Sequence, residues 1–159
     1  MKYCRPGTID DLFQLLQRTL RETFQHRGFG CFSITSQRSL SYTRQLVSLC
    51  DSTEYFFAFT IQEISLWKKG RTYRPDSLLP DAIANQPEQV LQCLEQRLLR
   101  TWSETGCGRL TITCDRSGRQ TTRVLISGAP SFCFHLSDRD VQRWLEQEQA
   151  IAQLAYFPQ

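Results

Sequence analysis

Two residues of this chain stand at the spacing of a reactive pair. Cys133 and His135 lie two apart, and on a strand such residues leave the same face. A thiol within hydrogen-bond reach of an imidazole can act as a nucleophile, provided a third group orients the histidine and donors wait for an oxyanion. The sequence offers neither at a recognisable spacing. The plainer reading is a half-buried cysteine and a histidine at a sheet edge, and it carries more weight.

Metal chemistry fares worse. His26 and His135 are the two histidines. Cys107, Cys114, Cys133 and His135 are zinc-type ligands, but Cys107 and Cys114 fall at opposite ends of an expected strand. At about 3.3 Å per residue they are roughly 23 Å apart, whereas zinc holds each sulfur at about 2.3 Å. The same distance forbids a disulfide between them. No metal site or cofactor is expected. No G-x-x-x-x-G-K-[ST] or G-x-G-x-x-G run occurs. Gly28-Phe29-Gly30 and Gly106-Cys107-Gly108 follow expected helices, where a phosphate cradle precedes one. The acid pairs Asp10/Asp11 and Asp138/Asp140 fall in first helical turns, which the helix dipole explains. No catalytic residue is assigned.

The arginines suggest binding. Apart from Lys2, Lys68 and Lys69, every one of the 19 basic residues is Arg, the residue suited to planar and stacked contacts. Arg109 to Cys114 alternates strictly, Asp115-Arg116-Ser117-Gly118 reads as a turn with Gly118 at positive φ, and Arg119 to Ser127 returns as the partner strand. If Asp115 faces Arg119, Leu110, Ile112, Cys114, Val124 and Ile126 form a core face. Arg109, Thr111, Thr113, Thr121 and Arg123 form the opposite one, with Arg116 and Arg119 at the turn. This register sets Thr111 opposite Arg123 and Arg109 diagonal to it, a like-charge neighbourhood that stability does not explain. These seven residues are the expected partner-binding surface.

The elements that must position them follow from periodicity and caps. A helix is expected over Thr8–Arg27, opened by a Thr8/Asp11 capping pair and stopped by Gly28 and Gly30, with Ile9, Leu12, Phe13, Leu16, Leu20 and Phe24 on one face. Cys31–Ser36 reads as a strand. Ser39–Cys50 fits helix or strand, with a slight edge to helix. Glu54–Trp67 reads as a strand whose alternation breaks near Ala58, with Tyr55–Phe59 as core. Residues 70–86 read as a loop. Pro87 opens a second helix to Glu104, with Val90, Leu91, Leu94, Leu98 and Trp102 along its stripe. After the hairpin come a strand over Ser131–His135 and a helix capped by Ser137 with Asp140, Val141, Trp144 and Leu145 facing inward. The tail, Tyr156–Gln159, is apolar enough to dock.

The fold class is therefore α+β, with a mainly antiparallel sheet packed by two long helices and a C-terminal helix, in the order α-β-(α/β)-β-α-β-β-β-α. With 159 residues and ordinary composition, one domain over 1–159 is expected. The apolar run Tyr55–Ile61 is far short of the ~20 residues that span a bilayer, and no signal peptide is evident. The seven cysteines are odd in number and irregularly spaced, so free thiols in the cytoplasm are expected. A net charge of +3 is mild for a nucleic-acid domain.

The element order resembles that of small secretion-chaperone-type domains, a likeness of layout with no motif behind it. It implies a partner segment bound along a helix-backed sheet. The leading reading is a non-catalytic intracellular protein-binding domain, an adaptor, chaperone-like or regulatory protein, with another protein as partner and self-association open. Second comes a nucleic-acid binder using the Arg/Thr sheet face, and third a small enzyme built on Cys133 and His135.

Overall fold

The computed structural model describes residues 2–4, 7–25, 29–50, 52–69, 86–116, 118–128 and 131–156, with side chains omitted for 2–4 and 148–156. Among the described residues, seven strands and four helices follow in the order β1 (Lys2–Cys4), α1 (Ile9–Gln25), β2 (Gly30–Ser39), β3 (Tyr42–Ser48), β4 (Glu54–Thr60), α2 (Ile61–Lys69), α3 (Pro87–Glu104), β5 (Gly108–Arg116), β6 (Thr121–Ser127), β7 (Phe132–Ser137) and α4 (Asp138–Tyr156). The strands form one sheet, β1-β4-β3-β2-β5-β6-β7. Among the described strands only the β1–β4 pairing is parallel. The expected α+β class and element order are observed, with Ser39–Cys50 resolved as a strand.

Local signals explain most boundaries. The Thr8 amide donates to Asp11 Oδ2 at 2.8 Å and the Asp11 amide to Thr8 Oγ1 at 3.2 Å, closing the start of α1. At the start of α4 the Asp140 amide donates to Ser137 Oγ at 3.1 Å and the Ser137 hydroxyl donates to Asp140 Oδ2 at 2.9 Å, and Pro87 occupies the first turn of α3. Gly106, at φ +73°, takes the left-handed conformation that ends α3.

Three expectations give way. Ser39–Cys50 is not helical: Leu40 and Ser41 make a two-residue turn, and β3 pairs with β2 from Ser39↔Tyr42 to Ser33↔Ser48. The alternating burial of Thr43, Gln45 and Val47 satisfies a strand. The strand expected to Trp67 ends at Thr60, where a capping box begins α2: the Glu63 amide donates to Thr60 Oγ1 at 3.1 Å and Thr60 Oγ1 to Glu63 Oε1 at 3.2 Å. Alternation does not break at Ala58: Phe57 and Phe59 are buried and Ala58 exposed between them, with no need for a bulge. His26, the stop at Gly28, the 70–85 loop and the final residues 157–159 lie outside the described residues.

One hydrophobic cluster joins α1, α3 and α4 to one sheet face. Trp102 of α3 is its hub, edge-on to Phe59 at 5.6 Å and tilted against Phe13 at 6.2 Å, while Phe24 of α1 meets Trp144 of α4. α2 joins the same layer through Trp67, stacked on Phe13 at 5.1 Å. Leu15, Cys93 and Leu99 add to the expected stripes.

Candidate functional site

The helices occupy one side of the sheet, and strand parity decides what the other side presents. In the hairpin, Leu110, Ile112, Cys114, Val124 and Ile126 are all buried, as expected. Arg109, Thr111, Thr113, Thr121 and Arg123 share the open face, the threonines half-buried and the arginines exposed.

Their register differs from expectation. Thr111 pairs with Ser127, and Arg123 pairs with Asp115. Arg109 lies opposite Thr35 of β2. It is six residues along β5 from the Asp115–Arg123 level, about 20 Å at strand rise. The two arginines are therefore not neighbours. β5 runs on to Arg116, so the turn falls after it.

The hairpin's charges are also internally matched. Arg123 makes a bidentate pair with Asp115, at 3.0 Å from Nε and 2.6 Å from Nη2. Arg116 has the parity of the helix side. It grips Asp138 at the start of α4 with 2.7 and 2.9 Å contacts and also donates to the Arg119 carbonyl at 2.6 Å. These hydrogen bonds raise both guanidinium pKa values and hold the Asp138 carboxyl below its ordinary range. Arg116 thus secures a helix terminus, a role that sequence spacing could not reveal.

Cys133 and His135 do come together, with Sγ and Nε2 3.7 Å apart. Both are exposed on β7, where Leu125 lies opposite Cys133 and Arg123 opposite His135. An exposed edge strand does not by itself enclose a substrate. Among the described residues no group of three or more His, Cys, Asp or Glu could hold a metal ion.

The other half of the open face holds what the sequence reading missed. A recess of about 680 Å³ opens over β2, β3 and β4, lined by Thr35, Tyr42, Arg44, Leu46, Phe56 and Ala58. The register places Leu46 beside Phe56 and Arg44 beside Ala58, with Thr35 next to Leu46 on the other flank. Leu46 and Phe56 are only half-buried. The aromatic run Tyr55–Phe59, expected as core, therefore splits: Phe57 and Phe59 enter the core, while Phe56 and Ala58 face outward.

Arginines flank this apolar floor. Arg44 donates to the Tyr42 hydroxyl at 3.0 Å and lies 5.5 Å over its ring. Hydrogen bonds from Arg44 and Ser39 bring the Tyr42 phenol below its ordinary pKa. Arg109 continues the row Phe56, Leu46, Thr35 one strand further. Among the described residues neither Arg44 nor Arg109 has an acidic partner, unlike Arg116 and Arg123.

The floor is braced from beneath. The Trp102 indole N–H donates to Ser36 Oγ at 3.2 Å, and Ser36 Oγ donates to Gln45 Oε1 at 2.5 Å. All three side chains are buried, so this chain pins β2 and β3 to α3 under the recess.

No family, curated protein or solved structure matches this chain.

Proposed function

We propose that the chain is a non-catalytic protein-binding domain of the cytoplasm, and that its open sheet face receives an extended segment of a partner protein. The observation that carries this reading is the recess over β2–β4. Half-buried Leu46 and Phe56 form an apolar floor, between two arginines without acidic partners among the described residues. Apolar area that the fold leaves open is the usual mark of an interaction site, and Tyr and Arg are the residue types that anchor interfaces. A segment alternating apolar and acidic side chains fits: one set packs on Leu46, Phe56 and Ala58 while the other meets Arg44 and Arg109.

The Arg/Thr half belongs to the same surface but contributes less. Arg123 already has Asp115 and Arg116 already has Asp138, which weighs against the phosphate-binding reading. The exposed setting of Cys133 and His135 gives little support to a catalytic one. Thr111, Thr113 and Thr121 form the neutral floor over which a long segment continues. A cytoplasmic setting is supported by the free state of the six described cysteines, and no helix among the described residues is long and apolar enough to cross a membrane.

The test is affinity capture from native cells using the wild-type chain and the double variant Leu46→Asp, Ala58→Asp, with nuclease added to half of each sample. A protein retained after nuclease by the wild type and lost by the folded double variant supports the proposal. Loss on nuclease treatment alone would point to nucleic acid. Equal capture by both chains would remove the recess from the account.

A further inference from the structure

Cys31 and Cys50 are among the seven cysteines that the sequence reads as free thiols. The structure makes them a facing pair. β3 ends at Ser48, paired with Ser33, and Cys50 lies in the turn that follows, with its side chain against the start of β2. The Cys31 amide donates to Cys50 Sγ at 2.6 Å, and Cys50 Sγ also contacts the Cys31 carbonyl. Both are free and exposed.

The geometry points to a redox modification site, in which Cys31 and Cys50 are oxidised to a disulfide by a low-molecular-weight disulfide such as oxidised glutathione. With Cys50 Sγ against both the amide and the carbonyl of Cys31, the two Cα atoms fall within the ~4.4–6.8 Å range that a disulfide bridges. The bond therefore needs side-chain rotation and no strand separation.

The chemistry balances in two exchanges. The Cys50 thiolate attacks one sulfur of the glutathione disulfide, forming a mixed disulfide and releasing one glutathione thiolate. The Cys31 thiolate then attacks the Cys50 sulfur of that mixed disulfide, forming the intramolecular bond and releasing the second. Two protein thiols are oxidised, one external disulfide is reduced to two thiols, and the protons lost by the protein pass to the departing thiolates. Partial burial and the neighbouring Cys50 raise the Cys31 pKa, which suits Cys31 to the second, intramolecular step.

The other described cysteines cannot substitute; Cys107 lies at the far end of β2, where the Arg38 amide donates to its Sγ at 3.4 Å. Cys133 shares a row with Cys31, through Thr113 and Leu125, but three strand spacings of about 4.8 Å separate them. Cys114 lies on the helix side, and burial pushes its thiol up to about 12. Burial likewise lifts Cys93 to about 11. Both are poor nucleophiles. A Cys31–Cys50 bond would staple the start of β2 to the β3–β4 turn. It would thereby fix the spacing of the two strands that carry Thr35, Arg44 and Leu46.

The experiment treats the reduced full-length chain with oxidised glutathione, blocks remaining thiols with an alkylating maleimide, and maps tryptic peptides by mass spectrometry. Cleavage after Arg38 and Arg44 separates the two cysteines. The expected result is a linked Cys31–Cys50 peptide, free of glutathione, together with a higher melting temperature that dithiothreitol reverses. In the Cys31→Ser variant, Cys50 should instead retain a stable glutathione adduct. A linkage from either residue to Cys114 or Cys133, or separate glutathione adducts on both in the wild type, would overturn the inference. So would both thiols remaining alkylated, and the wild-type map alone suffices if the variant does not fold.

Discussion

Truncating Ile112 measures which face of the sheet is covered. Ile112 is 0% exposed and lies in the middle of β5, between Phe32 of β2 and Ile126 of β6. Ile112→Ala deletes three carbons. At about 0.8 kcal/mol per methylene-sized group the transfer loss is about 2.4 kcal/mol. The cavity left among these neighbours and the helices above adds to it, for a total within about 2–5 kcal/mol. Thr111, one residue earlier, is half-buried on the open face between Ser33 and Ser127. Thr111→Ala should cost about 0.5 kcal/mol or less, as for a substitution away from the core. Urea denaturation resolves the difference: with a slope of roughly 2 kcal/mol per molar, the Ile112→Ala midpoint should fall by roughly 1–2.5 M and the Thr111→Ala midpoint should barely move. Equal losses at the two positions would mean that both faces are packed. The open face, and the binding site on it, would then be lost.

Two further substitutions test local features. Thr60→Ala removes the cap that turns β4 into α2; it should cost about 1 kcal/mol and speed amide exchange at Glu63, with Thr60→Ser retaining most of both. Asp138→Asn tests the Arg116 contact through pH. Arg116 lowers the folded-state pKa of Asp138, so the stabilisation is fully present above the unfolded carboxyl value of about 3.9 and is lost as pH falls through the folded value. Wild type should therefore exceed the variant in stability near neutrality and converge with it in strong acid, as read by denaturation across that range; a pH-independent gap would show that the carboxylate charge is not the cause.

How much of this was legible in the sequence depended on how local each signal is. The Thr8/Asp11 and Ser137/Asp140 caps and Pro87 act within one helical turn, and all are found as expected. Strict alternation separated the two faces of β5 and β6, because parity survives the four-residue slip from Thr111↔Arg123 to Thr111↔Ser127. The register itself did not survive, since Asp115–Arg123 and Arg116–Asp138 decide it, and the second of these is a contact with α4. The Thr60/Glu63 box carries the same signature as the caps that were read, but it was hidden in an apolar run. The β2–β3 turn escaped notice because Leu40, a poor residue for positive φ, takes it at 42°.

The candidate site was the least legible part. Assigning Phe56 outward and Phe57 inward requires knowing that one face of β4 is uncovered, a property of the whole sheet. The recess also depends on the β4-β3-β2-β5 order, which brings Arg109 into a row with Leu46 and Phe56 across a sequence gap that no local pattern spans. Composition did suggest arginine as a binding residue. It could not distinguish Arg44 and Arg109, without acidic partners among the described residues, from Arg116 and Arg123, each held by an aspartate.

The most direct measurement is an amide chemical-shift map of the isotope-labelled chain, titrated with the segment recovered from the captured partner. The account predicts shifts concentrated at Thr35, Arg44, Leu46, Phe56 and Ala58, with Arg109 following and the outer helix surfaces unchanged. Shifts centred on Arg123, Cys133 and His135, or on the helices with the recess silent, would contradict it.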